Sequence, residues 1–371
     1  MVHGALLVVG GWTALGLAGD VLRLRVGETG AVTAQRLTVA SHLPPRYGHS
    51  ATAAGEGRSQ VVVYAGMFQG GYMGETDDVR VLRLTDSTTA PEAPAWEWMV
   101  PRVSGPLPPA RGYHAAAATP DGRHLFVHGG IADSAPCADL HCLDTRSWSW
   151  TPILPATPAQ PGPRFGHSML VAGGGLWLFG GACGGSLRDG PERADVWRMD
   201  LASRAWEVVV AEAPPGLARQ ALGRCHTATL VGSKVLLFGG SLRTSADVVT
   251  FDLATRTWAI PRVAGSAVPG LARMAPFSRP GGPVARLSHL AGLVGTSLLV
   301  TSGWNYRLGG HGLLGDVWQL ALAPDAAQRA AAAAPGAWEA SDGESEGMEE
   351  EEEWEEAEED SEGSWYEAEE E

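Results

Sequence analysis

RFGHSMLVAGGGLWLFGGACGGSLRDGPERADVWRMDLASRAWEVVV, residues 164–210, holds four short apolar runs separated by turns: His167–Val171, Leu176–Phe179, Val196–Met199 and Trp206–Val210. Each run is rich in Val, Leu, Trp or Phe and is bounded by Gly, Asp, Arg or Ser, as strands of an antiparallel meander are. One four-stranded meander leaves apolar surface uncovered, so the pattern requires copies of itself.

Copies are present. A paired-glycine signal after an apolar run occurs at Gly10-Gly11, Gly129-Gly130, Gly180-Gly181 and Gly239-Gly240, with weakened forms at Ala65-Gly66 and Ser302-Gly303, at steps of 55, 64, 51, 59 and 63 residues. A histidine closing a short basic motif precedes five of the six signals: RYGH at His49, RGYH at His114, RFGH at His167, GRCH at His226 and RLSH at His289. After each signal an aspartate opens another apolar run, at Asp20, Asp78, Asp139, Asp195, Asp247 and Asp316, and a tryptophan follows at Trp98, Trp148, Trp206, Trp258 and Trp338. Two glycines at a strand end permit positive φ and close approach of a neighbouring sheet. The aspartate suits a turn cap and the tryptophan the space between sheets.

This set of landmarks resembles the kelch-repeat family, whose unit is one propeller blade. The resemblance covers residues 1–340 and implies an all-β, six-bladed propeller of four-stranded antiparallel blades. The blades fall at about 1–40, 46–100, 111–153, 164–210, 224–260 and 286–340. Nothing before Ala5–Val9 supplies the histidine-bearing strand of the first blade, so that blade is read either as three-stranded or as completed by sequence upstream of Met1. The AAQRAAAAA stretch near the end of blade six favours helix but is short for one, and Pro261–Ala285 is the longest connection.

Composition agrees with short strands and many turns: 49 glycines and 25 prolines in 371 residues. The net charge of −15 is misleading, because residues 339–371 carry 19 of the 42 acidic side chains and no basic one, which leaves 27 basic against 23 acidic, a net +4, in residues 1–338. The tail, residues 341–371, is expected to be disordered. Cys137, Cys142, Cys183 and Cys225 are too few and too irregular for a disulfide framework, which points to a reducing, intracellular compartment, cytoplasmic or nuclear. No apolar run has the length of a membrane span.

In an antiparallel blade the loops between its second and third strands gather on one rim of the central channel. Here they differ most from copy to copy, which is where a repeated frame places binding. Arg46, Arg111, Arg164, Arg224 and Arg286 are expected at that rim, with Phe68, Tyr72, Arg188, Arg193, Arg243, Trp304, Tyr306, Arg307 and His311 from the loops. Guanidinium groups beside aromatic rings suit an acidic peptide. The competing reading pairs the five repeat arginines with carboxylates or carbonyls inside the protein, and makes the repeat histidines buried hydrogen-bonding groups rather than metal ligands.

The function expected is a non-catalytic, monomeric protein-binding propeller, an adaptor or substrate-recognition scaffold. F-box kelch proteins such as the Zeitlupe group look similar in these landmarks, a resemblance that implies a ubiquitin-ligase adaptor. One alternative makes the acidic tail, with Trp354, Trp365 and Tyr366 among its acids, a chaperone or regulator of basic proteins. A second is a kelch-type metalloenzyme. Galactose oxidase in that family holds copper with tyrosines and histidines, and no matching set assembles from Tyr47, Tyr64, Tyr72, Tyr113, Tyr306 and Tyr366, so no cofactor is expected. The tail would compete with phosphates, which argues against a nucleic-acid partner.

Overall fold

The computed structural model describes residues 2–13, 16–68, 74–84, 96–184, 190–209, 222–240, 248–260, 288–303, 314 and 316–322. The chain divides into two units, Met1–Ala337 and Trp338–Glu371, the second of which lies outside the described residues. The first unit is a six-bladed propeller. Blade one is β1 (Leu6–Thr13), β2 (Gly16–Val26) and β3 (Val32–Arg36); blade two is β4 (Ser50–Ala54), β5 (Gln60–Met67), β6 (Glu75–Leu84) and β7 (Trp96–Met99). Blade three is β8 (Ala115–Ala118), β9 (His124–His128), β12 (Leu140–Asp144) and β13 (Ser149–Pro152), with a small hairpin of β10 (Ile131–Ala132) and β11 (Ala135–Pro136) on its second loop. Blade four is β14 (Ser168–Ala172), β15 (Gly175–Phe179), β16 (Val196–Asp200) and β17 (Trp206–Val209). Blade five is β18 (His226–Val231), β19 (Lys234–Gly239), β20 (Val249–Asp252) and β21 (Thr257–Ala259), and blade six shows β22 (Leu290–Val294), β23 (Ser297–Thr301) and β24 (Val317–Ala321). Every pairing within a blade is antiparallel and in sequence order.

The strands follow from side-chain size. The second strands, VVVY in β5, HLFVH in β9, GLWLF in β15 and SLLVT in β23, are apolar on both faces and buried, because each is sandwiched between neighbouring blades. The first strands of blades two and three, SATAA and AAAA, are built of small residues, which lets sheets converge near the axis. β4, β8, β14, β18 and β22 are successive neighbours there, and β22 meets β1 to close the ring. Leu6, Val8 and Leu24 of blade one pack with Val294, Leu299 and Val317 of blade six.

Backbone hydrogen bonds tie the blades together where the residue before each repeat histidine takes positive φ. The Tyr113 N–H donates to the Gly48 carbonyl at 2.7 Å, Gly166 to Tyr113 at 2.8 Å, Cys225 to Gly166 at 2.6 Å and Ser288 to Cys225 at 3.0 Å. The outer edges are covered too. The connector into blade two lies parallel to β7, with Ala40 N–H on the Trp96 carbonyl, and Ser104 does the same on β13 through the Trp148 carbonyl, which protects both edges from other chains.

Both positions of the glycine signal have positive φ in every blade: 59° and 99° at Gly10 and Gly11, 58° and 106° at Ala65 and Gly66, 62° and 96° at Gly129 and Gly130, 60° and 96° at Gly180 and Gly181, 68° and 96° at Gly239 and Gly240, 64° and 105° at Ser302 and Gly303. The first value is the left-handed helical region, which Ala and Ser tolerate at modest cost, and the second is a region that only glycine adopts freely. The tryptophan landmark needs correction in one blade. Register equivalence, Leu82 to Trp98, Leu143 to Trp150, Met199 to Trp206 and Phe251 to Trp258, keeps Trp98 and replaces Trp148 by Trp150; in blade two Trp98 is half-buried and Trp96, two residues earlier on the same face, is the more deeply buried of the two. The AAQRAAAAA stretch and the Pro261–Ala285 connection lie outside the described residues.

A Cβ at Gly181 would stand 2.8 Å from both the His167 Cβ and the Phe165 carbonyl oxygen. Gly181→Ala is therefore expected to cost about 3 kcal/mol or more of unfolding free energy in urea titration, whereas an alanine is already accommodated at Ala65.

Candidate functional site

The repeat arginines were expected to face a partner, and for three of them the structure corrects this. Arg46, Arg111 and Arg164 are 0%, 0% and 1% exposed. Arg46 forks onto Asp78 at 2.6 and 3.0 Å, Arg111 onto Asp139 at 2.8 and 2.7 Å, and Arg164 onto Asp195 at 2.8 and 3.0 Å. Each also donates to the carbonyl at the first position of its own blade's glycine signal, Ala65, Gly129 or Gly180, and to the carbonyl two residues before itself. Four of the five guanidinium N–H donors of each are bonded inside the protein, so these residues brace the rim and are paired internally. Their own carbonyls reach the preceding blade: Gly11 N–H donates to Arg46, Gly66 to Arg111 and Gly130 to Arg164. One residue thus locks strand two to strand three within a blade and ties that blade to the one before.

The aspartates are satisfied by a second donor two residues on: Arg80 Nε on Asp78, His141 Nε2 on Asp139, Trp197 Nε1 on Asp195 and Trp318 Nε1 on Asp316. Burial works against ionising Asp78, but hydrogen bonds from Arg46 and Arg80 outweigh it and hold its pKa at about 2. Asp139 and Asp195 are held low in the same way. This donor position was not read from the sequence. It recurs as Asp-x-[Arg/His/Trp], and the change of residue type from blade to blade concealed it.

Arg224, one step nearer its histidine, is also buried and donates to the Gly190 carbonyl at 3.3 Å. Arg286, Tyr72, Arg188, Arg243, Trp304, Tyr306, Arg307 and His311 lie outside the described residues. Phe68 is half-buried over Arg46, its ring centroid 5.2 Å from the guanidinium carbon. The rim of blades one to three is aromatic, and on blade four the loop residue Arg193 is exposed. Trp12, directly after the first glycine pair, lies tilted by 57° against Tyr47 with ring centroids 5.7 Å apart, and Tyr47 meets Tyr113 edge-on at 6.1 Å. Beneath them lie Met67, Ile131, Phe165 and Ala182. Trp12 is 51% exposed, the most open aromatic side chain among the described residues.

The repeat histidines are internal hydrogen-bonding groups. His114 Nε2 lies 2.8 Å from the Ser50 hydroxyl, His289 Nε2 2.8 Å from that of Thr227, His167 Nε2 3.0 Å from His128 Nδ1 and His226 Nδ1 2.6 Å from the Gly223 carbonyl. His49 Nε2 meets the Val9 carbonyl at 2.9 Å. Burial, reinforced by Arg46, lowers the His49 pKa to about 4; burial with Arg111 takes His114 to about 3; burial with Arg164 takes His128 to about 3. Among the described residues no group of three His, Cys, Asp or Glu is placed to hold a metal ion, and no helix is long and apolar enough to cross a membrane. The four cysteines are free, and burial pushes the Cys142 thiol up to about 12.

The fold and its repeated joints define a kelch-type propeller. The profile of the KLHDC2/KLHL20/DRC7 Kelch-repeats domain matches residues 1–240, and the chain belongs to the kelch-repeat family. It is 28% identical to human host cell factor 1 over 281 residues, 70% of this chain and 12% of that protein. It is 27% identical to acyl-CoA-binding domain-containing protein 4 of Arabidopsis thaliana over 202 residues, 51% of this chain and 28% of the relative. It is 32% identical to Adagio-like protein 1 of Oryza sativa subsp. japonica over 250 residues, 62% of this chain and 37% of the relative. The chain therefore spans a minor part of the length of these relatives.

Two outcomes follow from the joints. Arg164→Lys should cost about 2 to 4 kcal/mol in urea titration, because one ammonium cannot span both Asp195 oxygens and the Gly180 carbonyl. The histidines set the pH response. Their rings are neutral in the fold but protonate in the unfolded chain below the ordinary pKa of 6.5. The unfolded state then binds more protons, so stability is full above about pH 6.5 and falls as pH drops toward 4. The loss should be about 1 to 2 kcal/mol per buried histidine at pH 5. The stability that Asp78 contributes is lost only below its ordinary 3.8, toward about 2. Urea titrations at pH 7, 5.5 and 4.5 check this, and a flat profile would contradict it.

Proposed function

We propose that the chain is a non-catalytic interaction propeller, an adaptor or substrate-recognition module that holds a protein partner on the rim formed by its loops between second and third strands. The observation that supports this is the tier of Trp12, Tyr47 and Tyr113, aromatic side chains carried on separate segments of a rigid frame, with Trp12 open to solvent. Rings anchored in this way contribute contact area at small entropic cost, as the energetic centres of protein interfaces do. With Arg46, Arg111 and Arg164 neutralised internally, the reading rests on aromatic anchoring and takes no support from those three arginines for an acidic peptide. The 19 acidic residues of positions 339–371, free of any basic one, support a second reading in which the tail binds basic proteins.

Capture from native cell extract with three forms separates these: the full chain, a chain ending at Ser341, and the full chain carrying Tyr47→Leu and Tyr113→Leu. The rim reading expects a partner retained by the shortened chain and held at least tenfold more weakly by the tyrosine variant, whose folding is checked by circular dichroism. Retention that needs residues 342–371 and ignores the tyrosines would give the interaction to the tail.

A further inference from the structure

The loops between second and third strands differ in charge around the rim. Residues 66–78 of blade two and 129–139 of blade three hold Glu75, Asp77, Asp78, Asp133 and Asp139 and no lysine, arginine or histidine, whereas the blade four loop mixes Arg188 and Arg193 with its acids. Two of these carboxylates are already taken, Asp78 by Arg46 and Arg80, and Asp139 by Arg111 and His141. No basic side chain among the described residues pairs with Glu75, Asp77 or Asp133.

These three converge on the cleft between blades two and three. Glu75 and Asp77 share a face of β6 with Val79 and Val81, which pack with Leu125 and Val127 of blade three. From the other side the β10–β11 hairpin brings Asp133, whose N–H donates to Glu75 Oε2 at 3.1 Å, and both aspartates are exposed. Glu75 Oε1 accepts no hydrogen bond. Burial, with the charge of Asp133, pushes the Glu75 pKa up, against the Asp133 N–H, which favours the carboxylate. A positive charge is what this cleft lacks.

The cleft adjoins the tyrosine tier. Tyr47 is bridged to Met67 and Met67 pairs with Glu75, so Glu75 stands two strand spacings, about 10 Å, outward from Tyr47. On blade three Gly112, beside Tyr113, is bridged to Ile131, two residues before Asp133. Tyrosine faces attract a guanidinium as carboxylates do. We propose that the rim of blades two and three receives an arginine from a segment of another protein, its guanidinium lodged between the tyrosines and the carboxylates of Glu75, Asp77 and Asp133. No residue of this site belongs to blade one. The inference rests on the rim reading and adds the charge of the ligand, opposite to that of the acidic peptide expected from the sequence.

The test is selection of random heptapeptides displayed on phage against the full chain at about 0.15 M salt, followed by anisotropy titration of the enriched sequences as synthetic peptides. Enrichment of arginine is expected. Glu75→Gln with Asp133→Asn should weaken those peptides about tenfold or more, as should citrulline in place of the arginine, and the two changes together should cost little beyond either. The protein variant is expected to fold, because glutamine still accepts from the N–H of residue 133 and asparagine tolerates the φ of 48° there. Tyr113→Leu should weaken binding to a similar degree. Arginine peptides indifferent to Glu75→Gln with Asp133→Asn would belong to the acidic tail and overturn the proposal. Uncharged or acidic peptides that depend on Tyr113 would overturn it while leaving the rim reading in place. If no enriched peptide depends on Tyr113, the rim reading falls and this inference falls with it.

Discussion

A buried arginine fork is the constraint on which the propeller depends. Arg46, Arg111 and Arg164 each close a carboxylate, a carbonyl at the glycine turn and a neighbouring main-chain carbonyl into one unit, while their own carbonyls accept from the glycine of the preceding blade. A charge so deeply buried is costly unless every donor finds an acceptor. The geometry around it is therefore determined: two residues of positive φ, an aspartate at the head of strand three, and a donor two residues on. Neighbouring sheets are then set close enough for Trp96, Trp150, Trp206 and Trp258 to fill the space between them.

This frame explains why the rim is available for recognition. The conformational cost of presenting Tyr47 and Tyr113 is met within the repeat motif itself, because each adjoins the arginine or histidine that anchors its segment. The same frame explains blade one as a departure with local consequences. Among the described residues of blade one Asp20 pairs with Arg36 at the surface and Trp12 is exposed, and His49 of the next blade bonds to the Val9 carbonyl where His114 and His289 bond to hydroxyls.

The propeller was legible in the sequence because its landmarks are set by backbone geometry: φ near +100° after strand two selects glycine whatever surrounds it, so Gly11, Gly66, Gly130, Gly181, Gly240 and Gly303 stand out. The tryptophans were less so. WEW and WSW each offer two candidates, and the sheet register that chooses Trp98 and Trp150 is a property of pairing; for Trp150 the spacing from Asp139, shared by Asp195 to Trp206 and Asp247 to Trp258, marks it. The arginines read as ligands because arginine on a rim has two uses that look alike in one dimension. The signal that distinguishes them is that each repeat arginine is accompanied by an aspartate at the head of the third strand of its own blade, so that the two can pair inside the protein. Of the expected loop residues, Phe68 and Arg193 lie among the described ones: Phe68 covers Arg46, and Arg193 is exposed.

A double-mutant cycle in urea on Arg111→Ala, Asp139→Ala and the pair together asks whether the repeat arginine and aspartate act as one structural joint. Strong coupling is expected. Either single change should cost about 3 kcal/mol or more, and the double little beyond the larger single, because each removal strands the other charge. Costs that simply add would mean that the two side chains act independently, and would contradict the joint.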